Sequence, residues 1–215
     1  KGWTFYRLPK ASFAYDGAHG WNTEWPRIRN VGTKENPDYL MTMHGMFWRF
    51  PHTFTSANTA GITPRGAYLK VIADFANWNG RLVFGCDDSA QSEFLNKRKQ
   101  KGNIGGPGQS HSNIWFGDMS TPDNVGPTTA GGSLWLKEDV KAGVASEPFL
   151  FNGWDNRCAW IANRSSKPAV ITFEVDQKGD NKWSELRKVE VGANTSLFVP
   201  FEATDKGIWI RAISN

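Results

Sequence analysis

The sequence of 215 residues lacks the features that would place it at once in several common functional classes. Its two cysteines, Cys86 and Cys158, are far apart without metal-ligand spacing, so we expect free buried thiols and leave a disulfide open. No apolar run approaches the roughly 18 residues that cross a bilayer, which predicts no membrane span. The stretch 105–108 lacks the Gly-Lys-Ser/Thr ending of a phosphate-binding loop, and no Gly-x-Ser-x-Gly motif supports a serine hydrolase triad.

The sequence also lacks a strong excess of charge of either sign. Its net charge is +4, which favours acidic partners such as uronic-acid polysaccharides or nucleic acid. A basic cluster lies at 97–101, and we interpret it as a solvated helix end. Because no nucleic-acid-binding motif or basic stripe accompanies the charge, we expect no nucleic-acid partner.

Tryptophan and glycine are abundant instead. Eleven Trp and 22 Gly among short apolar runs are typical of turn-rich β structure. Asn79 and Gly80 separate two such runs and predict a hairpin with a type I′ turn. One helix is expected at 89–101. The predicted strands lie at 67–74, 82–86, 149–151, 158–162, 169–176, 186–191, 196–201 and 207–213.

A faint internal repeat relates 78–84 to 154–160, since each segment has a Trp, a tight turn, an Arg and an apolar strand. With turn signals at regular intervals, this pattern predicts an antiparallel meander: four-stranded blades of a β-propeller, or alternatively a β-sandwich. Blades of about 40–50 residues would make the chain a partial ring of about four or five blades. We therefore expect residues 1–215 to be a single all-β region, the C-terminal part of a larger β-propeller protein completed by its remaining blades or by a second chain.

Residues 43–54 hold more chemically useful side chains than any other stretch. His44 and His52 can transfer protons near neutral pH, and Arg49 can bind a carboxylate. The ring of Trp48 can stack on a sugar. This stretch is therefore the leading candidate for a site.

The alternation of side chains along a strand narrows this candidate site. Within a strand, His44, Met46 and Trp48 would share one face, with Gly45, Phe47 and Arg49 on the other. His44 and Arg49 would then point away from each other, unless a bulge or bend reorients one of them. We therefore favour His44 with His52 as the reactive pair, and Arg65 over Arg49 as the residue that binds a carboxylate.

Four segments of the sequence resemble large secreted β-propeller proteins of polysaccharide-degrading bacteria: 43–54, 77–88, 93–115 and 172–183. Propellers of this broad kind include ulvan lyases and enzymes that cleave rhamnose–glucuronate linkages. The resemblance implies a secreted or periplasmic, carbohydrate-active protein, a polysaccharide lyase or glycoside hydrolase, whose partner is an acidic polysaccharide or oligosaccharide. It implies that His, Arg and Tyr act on a uronic acid, and it aligns no particular catalytic residue.

A uronate lyase needs three groups, and this region offers candidates for each. Arg49 or Arg65 would neutralise the carboxylate. His44 or His52 would remove the C5 proton, because an imidazole titrates near the working pH. Tyr68 or the second histidine would protonate the leaving oxygen at C4. The alternative interpretation of each histidine is a core or turn residue bonded to backbone.

Three further candidates are considered. His111 lies in a polar segment and is either a ligand contact or a surface histidine. Asp87 and Asp88 do not suit the carboxylate pair of a hydrolase, because adjacent strand residues face opposite ways. Asp176 and Asp180 flank a glycine-containing turn without the spacing of a 12-residue calcium loop. We expect no metal or cofactor, with a structural calcium at this turn as the alternative.

Two non-catalytic interpretations stay open. A Trp-rich β domain can bind glycans by stacking alone, which predicts an exposed row of tryptophans, although many of them are expected to pack between sheets. The candidates for such a row are Trp21, Trp25, Trp48, Trp78 and Trp154. In the other interpretation the chain is a structural portion of a larger propeller enzyme, which predicts an exposed apolar edge or face.

Overall fold

A computed structural model of the protein describes residues 2–11, 26–43, 45–68, 71–87 and 112–215. These residues form antiparallel sheets with one short helix among them, so the all-β prediction is confirmed. The helix predicted at 89–101 lies outside the described residues. The chain divides into an N-unit (Lys10–His52 and Ile62–Gly131) and a C-unit (Lys1–Pro9, Thr53–Gly61 and Gly132–Asn215).

The described part of the N-unit contains three sheets. Its elements are β1 (Lys10–Ala11), β2 (Arg27–Asn30), β3 (Tyr39–Met43), β4 (Met46–Phe50), β5 (Thr63–Ala67), β6 (Val71–Trp78), β7 (Arg81–Asp87), β8 (Ser112–Gly117), α1 (Thr121–Asn124) and β9 (Ala130–Gly131). One sheet has the order β2-β3-β4-β5, the second β6-β7-β8, and the third pairs β1 with β9. The first is a simple meander, the strand order that a propeller blade also has.

Side chains from both larger sheets form the core of the N-unit. Leu82, Phe84 and Cys86 of β7 are buried because alternate strand residues share one face. They belong to one cluster with Phe47 of β4 and with Tyr68. The Phe47 ring lies 4.6 Å from the Tyr68 ring and 5.5 Å from the Phe84 ring, between centroids.

The stretch 43–54 is not one strand, so the alternation predicted for 44–49 applies only to Met46–Arg49, which lie within β4. Met43 of β3 pairs with Met46 of β4 across a hairpin, in which Gly45 has a φ of 73°. Three consecutive residues of β4, Met46–Trp48, are buried. Because β4 is a central strand covered on both faces, its sequence shows an apolar run without alternation.

The hairpin between β6 and β7 confirms the Asn-Gly prediction. Asn79 and Gly80 have φ values of 51° and 78°, as a type I′ turn requires. The Asn77 side chain accepts a 3.0 Å hydrogen bond from the Gly80 amide. The strand predicted at 67–74 is instead divided between β5 and β6.

The C-unit contains a four-stranded sheet and a two-stranded ribbon. Its strands are β10 (Phe149–Leu150), β11 (Arg157–Asn163), β12 (Ala169–Asp176), β13 (Trp183–Val191), β14 (Thr195–Phe201) and β15 (Trp209–Ser214). The sheet has the order β10-β15-β12-β13, and the ribbon pairs β11 with β14. All six strands predicted in this half are confirmed, with small shifts at their ends.

The internal repeat predicted at 154–160 does not form a second hairpin of the same kind. Neither Asp155 nor Asn156 has a positive φ, whereas the turn at 79–80 depends on two. The strand before this turn, β10, pairs with β15, and the strand after it, β11, pairs with β14. The similarity between the two segments is therefore one of sequence and not of strand pairing.

Candidate functional site

Several of the predicted site residues lie outside the described residues: His44, Asp88, His111, Trp21 and Trp25. His52 is exposed in the turn that follows β4, and Arg49 is exposed on β4 itself. Arg49 is also close enough to Asp123 to help lower the pKa of that carboxyl. The structure thus makes Arg49 and His52 accessible.

Arg65 is engaged by an internal carboxylate. Its Nε donates a 2.7 Å hydrogen bond to Asp123 Oδ1, and its Nη2 donates a 2.6 Å bond to Asp123 Oδ2. Asp38 adds a second negative charge 3.9 Å from Nη1, and only 7% of the Arg65 side chain is exposed. The bond from Arg65 lowers the pKa of Asp123, and the same bond raises the pKa of Arg65. This arginine fastens β5 to α1 and leaves little of its guanidinium for a substrate.

Tyr68 and Trp48 are both in the interior of the N-unit. Burial raises the pKa of Tyr68 above its ordinary value, while bonds with Thr42 and the Gly45 backbone act against this rise. Trp48 is fully buried and donates its indole N–H to the Met43 carbonyl at 3.1 Å. Neither ring is presented to solvent, so neither can stack on a sugar or protonate one in this conformation.

Asp176 is buried at the end of β12 and organises the turn that leads to β13. Its Oδ1 accepts hydrogen bonds from the amides of Lys178, Gly179 and Asp180, and its Oδ2 accepts one from Asn181. A carboxylate that accepts four backbone bonds is suited to closing a turn. No group of three or more metal-ligating side chains occurs in the part of the chain that the structure describes.

The two cysteines do not form a disulfide, and their environments differ. Cys86 is buried on β7, as expected, whereas Cys158 is exposed on β11, so the prediction of burial is wrong for Cys158. The difference follows from strand alternation, because Cys158 lies on the outward face of the ribbon.

The outward face of β6-β7-β8 carries an exposed aromatic pair. Trp78 is 60% exposed and Phe116 is 42% exposed, with ring centroids 6.0 Å apart and planes tilted by 43°. The Arg81 guanidinium carbon lies 5.5 Å from the Phe116 centroid. We call this surface the aromatic face; its residues are Ala76, Trp78, Arg81, Val83, Ile114 and Phe116.

The sheet register explains why these residues meet. Trp78 pairs with Arg81 across the type I′ hairpin, and Val83 pairs with Phe116 of β8. A bulge between Ile72 and Asp74 shifts the alternation of β6 by one residue, so that Ile72 and Phe75 are both buried and Trp78 is exposed. Trp78 was among the tryptophans predicted to bind glycan.

Phe116 was not predicted as a site residue, although a local signal for it exists. Ile114 and Phe116 are exposed on β8, while Trp115 between them packs on the N-unit core. This period-two alternation could have marked Phe116 as outward-facing. What the sequence alone could not supply is the neighbour, because β8 lies far along the chain from β7.

The charge of the aromatic face is positive near Trp78. Arg81 has no carboxylate partner among the described residues. Asp74 lies on the same outward face and is bound by Arg29 at 2.7 Å. It is four residues from Trp78 along β6, about 13 Å at roughly 3.3 Å per residue, which exceeds the Debye length of about 8 Å at physiological salt. Among the described residues, the Arg81 charge is therefore not neutralised by a carboxylate.

Comparison with known protein families, with curated proteins and with solved structures found no match. Within the described residues, the structure has no helix of the length and apolarity that a membrane crossing needs. The fold and the aromatic face are accordingly the basis for a functional assignment.

Proposed function

We propose that this protein binds acidic polysaccharide without performing chemistry on it, through the aromatic face of the N-unit. The observation that carries the proposal is the exposed pair of Trp78 and Phe116 beside the guanidinium of Arg81, which has no carboxylate partner within the part of the chain that the structure describes. Aromatic faces are electron-rich, so they attract the C–H groups on the apolar side of a sugar ring. A guanidinium beside them adds a donor for a uronate carboxylate.

Burial and charge both favour a ligand at this face. Large aromatic side chains are normally buried, and an exposed cluster of them rimmed by polar groups is typical of a binding surface. The protein is mildly basic overall, which favours an anionic partner. An acidic glycan satisfies both preferences, because it combines apolar ring faces with carboxylates.

Two of the residues predicted for a lyase reaction are unavailable to a substrate, and this favours binding without chemistry. Arg65 is held by Asp123, and Tyr68 is buried with a raised pKa. A lyase that used them would have to break the ion pair and expose the tyrosine. The aromatic face needs no such rearrangement.

The resemblance to secreted propeller proteins of polysaccharide-degrading bacteria supports the class of ligand. In this proposal the chain is the carbohydrate-binding part of a larger, exported propeller protein. The catalytic residues of that protein would lie elsewhere than in the arrangement around Arg65.

Titration of oligogalacturonate into the protein, followed by calorimetry, tests the proposal. We expect Trp78→Ala and Phe116→Ala each to weaken binding about 3- to 10-fold, since an aromatic contact contributes about 0.5–1.5 kcal/mol. Trp3→Ala is the matched control, because Trp3 is an exposed tryptophan of the C-unit. Unchanged affinity in both aromatic variants would overturn the proposal, as would the appearance of unsaturated uronate products.

A further inference from the structure

The outward face of the ribbon β11-β14 in the C-unit is exposed and mostly apolar. The opposite face of the ribbon packs on the core of the C-unit through residues such as Ile161 and Val199. Alternation therefore turns every second residue of both strands to solvent. These outward residues are Cys158, Trp160, Ala162, Ser196, Phe198 and Pro200, and all six are exposed.

Trp160 and Phe198 form the centre of this ribbon face. They are directly paired across the two strands, with ring centroids 6.4 Å apart and planes tilted by 48°. Trp160 is 69% exposed and Phe198 is 54% exposed. The distance and tilt are close to those of Trp78 and Phe116 in the N-unit.

The two aromatic pairs differ in charge. Arg81 accompanies the pair in the N-unit, whereas the six outward residues of the ribbon face include no Asp, Glu, Lys, Arg or His. A surface without charged groups has no counterpart for a carboxylate or phosphate and suits an uncharged ligand. The polar atoms that it offers are the hydroxyl of Ser196 and the thiol of Cys158.

The size of the ribbon face limits what can cover it. Both strands are seven residues long. At roughly 3.3 Å per residue, and about 10 Å across two strands, the face covers roughly 230 Å². A stable protein interface buries about 800 Å² on each partner, so this face alone is too small to hold a second copy. One or two sugar rings match its dimensions.

We propose that the ribbon face is a second carbohydrate-binding surface, which takes an uncharged sugar residue by stacking on Trp160 and Phe198. The inference rests on the proposed function for the class of ligand, and on its own residues for the location and for the neutral specificity.

Cys158 supplies a reporter for this surface in the unmodified protein. It lies two residues from Trp160 on the same face, about 7 Å at roughly 3.4 Å per residue. The other cysteine, Cys86, is buried. A thiol reagent applied to the native protein should therefore react at Cys158 first.

The test measures the reaction rate of Cys158 with Ellman's reagent in the presence of cellohexaose, xylohexaose, mannohexaose and hexagalacturonate, each at millimolar concentration. We expect at least one neutral hexasaccharide to slow the reaction several-fold, and hexagalacturonate to leave it unchanged. The proposal is overturned if none of the neutral sugars slows the reaction, or if hexagalacturonate does so as strongly as they do.

Two variants separate this inference from the proposed function. Trp160→Ala should abolish the protection of Cys158 by neutral sugar and leave the binding of oligogalacturonate to the aromatic face unchanged. Trp78→Ala should weaken the binding of oligogalacturonate and leave the protection of Cys158 by neutral sugar unchanged. Protection that persists in Trp160→Ala overturns the ribbon face alone, whereas unchanged oligogalacturonate binding in both Trp78→Ala and Phe116→Ala overturns the aromatic face alone.

A structural role or self-association gives different results. If the aromatic pair only stabilises the ribbon, two results are expected. Trp160→Ala lowers the unfolding temperature, and no sugar protects Cys158 in the unmodified protein. If a second copy covers the face, sedimentation shows a dimer that Trp160→Ala dissociates, again without protection by sugar. Either pattern contradicts the proposal.

Discussion

Arg65 and Asp123 form a two-bond ion pair between β5 and α1, with nitrogen–oxygen distances of 2.7 and 2.6 Å. The arginine is nearly buried, whereas about half of the aspartate side chain is exposed. A bidentate pair of this kind fixes the direction of both side chains. Arg65, which was predicted to bind a substrate carboxylate, thus binds Asp123 and connects β5 to α1.

The first prediction concerns the pH dependence of this ion pair. The bond from Arg65 lowers the pKa of Asp123 in the folded protein. A carboxyl with a lowered folded pKa contributes stability above its unfolded pKa of about 3.9, and this contribution is lost as pH falls through the folded pKa. Asp123→Asn removes this contribution and should lower the free energy of unfolding at neutral pH. We expect a loss of only about 1 kcal/mol, because the carboxylate is half exposed and water weakens its attraction to Arg65.

Urea unfolding at pH 7 and at a pH below the folded pKa of Asp123 measures this effect. The difference between Asp123→Asn and the unmodified protein should shrink at the lower pH. Asp139→Asn, which removes an exposed carboxylate from the C-unit, should show no comparable change. Equal stability of Asp123→Asn and the unmodified protein at pH 7 would contradict the ion-pair interpretation.

The second prediction concerns the turn between β12 and β13. Asp176 accepts four backbone hydrogen bonds, and the turn is tied to Thr59, whose amide donates to the Gly179 carbonyl at 2.7 Å. The Trp209 indole in turn donates to the Thr59 hydroxyl at 2.9 Å. Asp176→Ala should lower the free energy of unfolding by about 3 kcal/mol, since it leaves one buried and three partly buried amide donors without their acceptor.

Thermal unfolding with and without calcium shows whether Asp176 acts only as a hydrogen-bond acceptor for the turn or also as a calcium ligand. We expect millimolar calcium chloride to leave the unfolding temperature unchanged, because the Asp176 oxygens already accept amide bonds. Thr53→Ala is the control, because it shortens an exposed polar side chain of the same unit outside this turn. A calcium-dependent rise that Asp176→Ala abolishes would contradict this view and favour the structural calcium.

The sequence predicted the C-unit better than the N-unit, for a physical reason. The bounds of β12, Ala169–Asp176, agree with those predicted, because the strand follows and precedes clear turn residues. The hairpin between β3 and β4 was missed, since burial of β4 on both faces removes the alternation that marks a strand. Local signals define a strand well when one of its faces meets water.

The candidate site was predictable only in part. Trp78 next to an Asn-Gly turn could be identified as a residue at an exposed hairpin end. The neighbourhood of Phe116 could not, because Val83 and Phe116 are paired across β7 and β8, which are far apart in sequence. The partner that occupies Arg65 was missed for the same reason, since Asp123 lies 58 positions further along the chain.

The third prediction compares two exposed glycines near the aromatic face. Gly80 has a φ of 78°, whereas Gly85 does not have a positive φ, and an added Cβ would meet little or nothing at either position. Gly80→Ala should therefore cost about 1 kcal/mol in unfolding free energy through backbone strain alone. Gly85→Ala should be neutral or slightly stabilising, because glycine within a strand is itself unfavourable. Chemical denaturation of both variants tests this, and equal effects would contradict the type I′ assignment.

The fourth prediction concerns the charge of the aromatic face. Arg81→Gln should weaken binding of oligogalacturonate about tenfold at low salt, because a charge-assisted hydrogen bond contributes about 1.5–3 kcal/mol and an exposed one lies at the lower end. The loss should shrink as salt rises, since added ions screen the attraction in the unmodified protein. Arg81→Lys should retain part of the affinity, as it keeps the charge without the planar donor pair. Arg164→Gln removes an exposed arginine from the C-unit and should leave affinity unchanged at every salt concentration. If Arg81→Gln and Arg164→Gln behave alike, the anion specificity does not arise from the aromatic face, even where Trp78→Ala weakens binding.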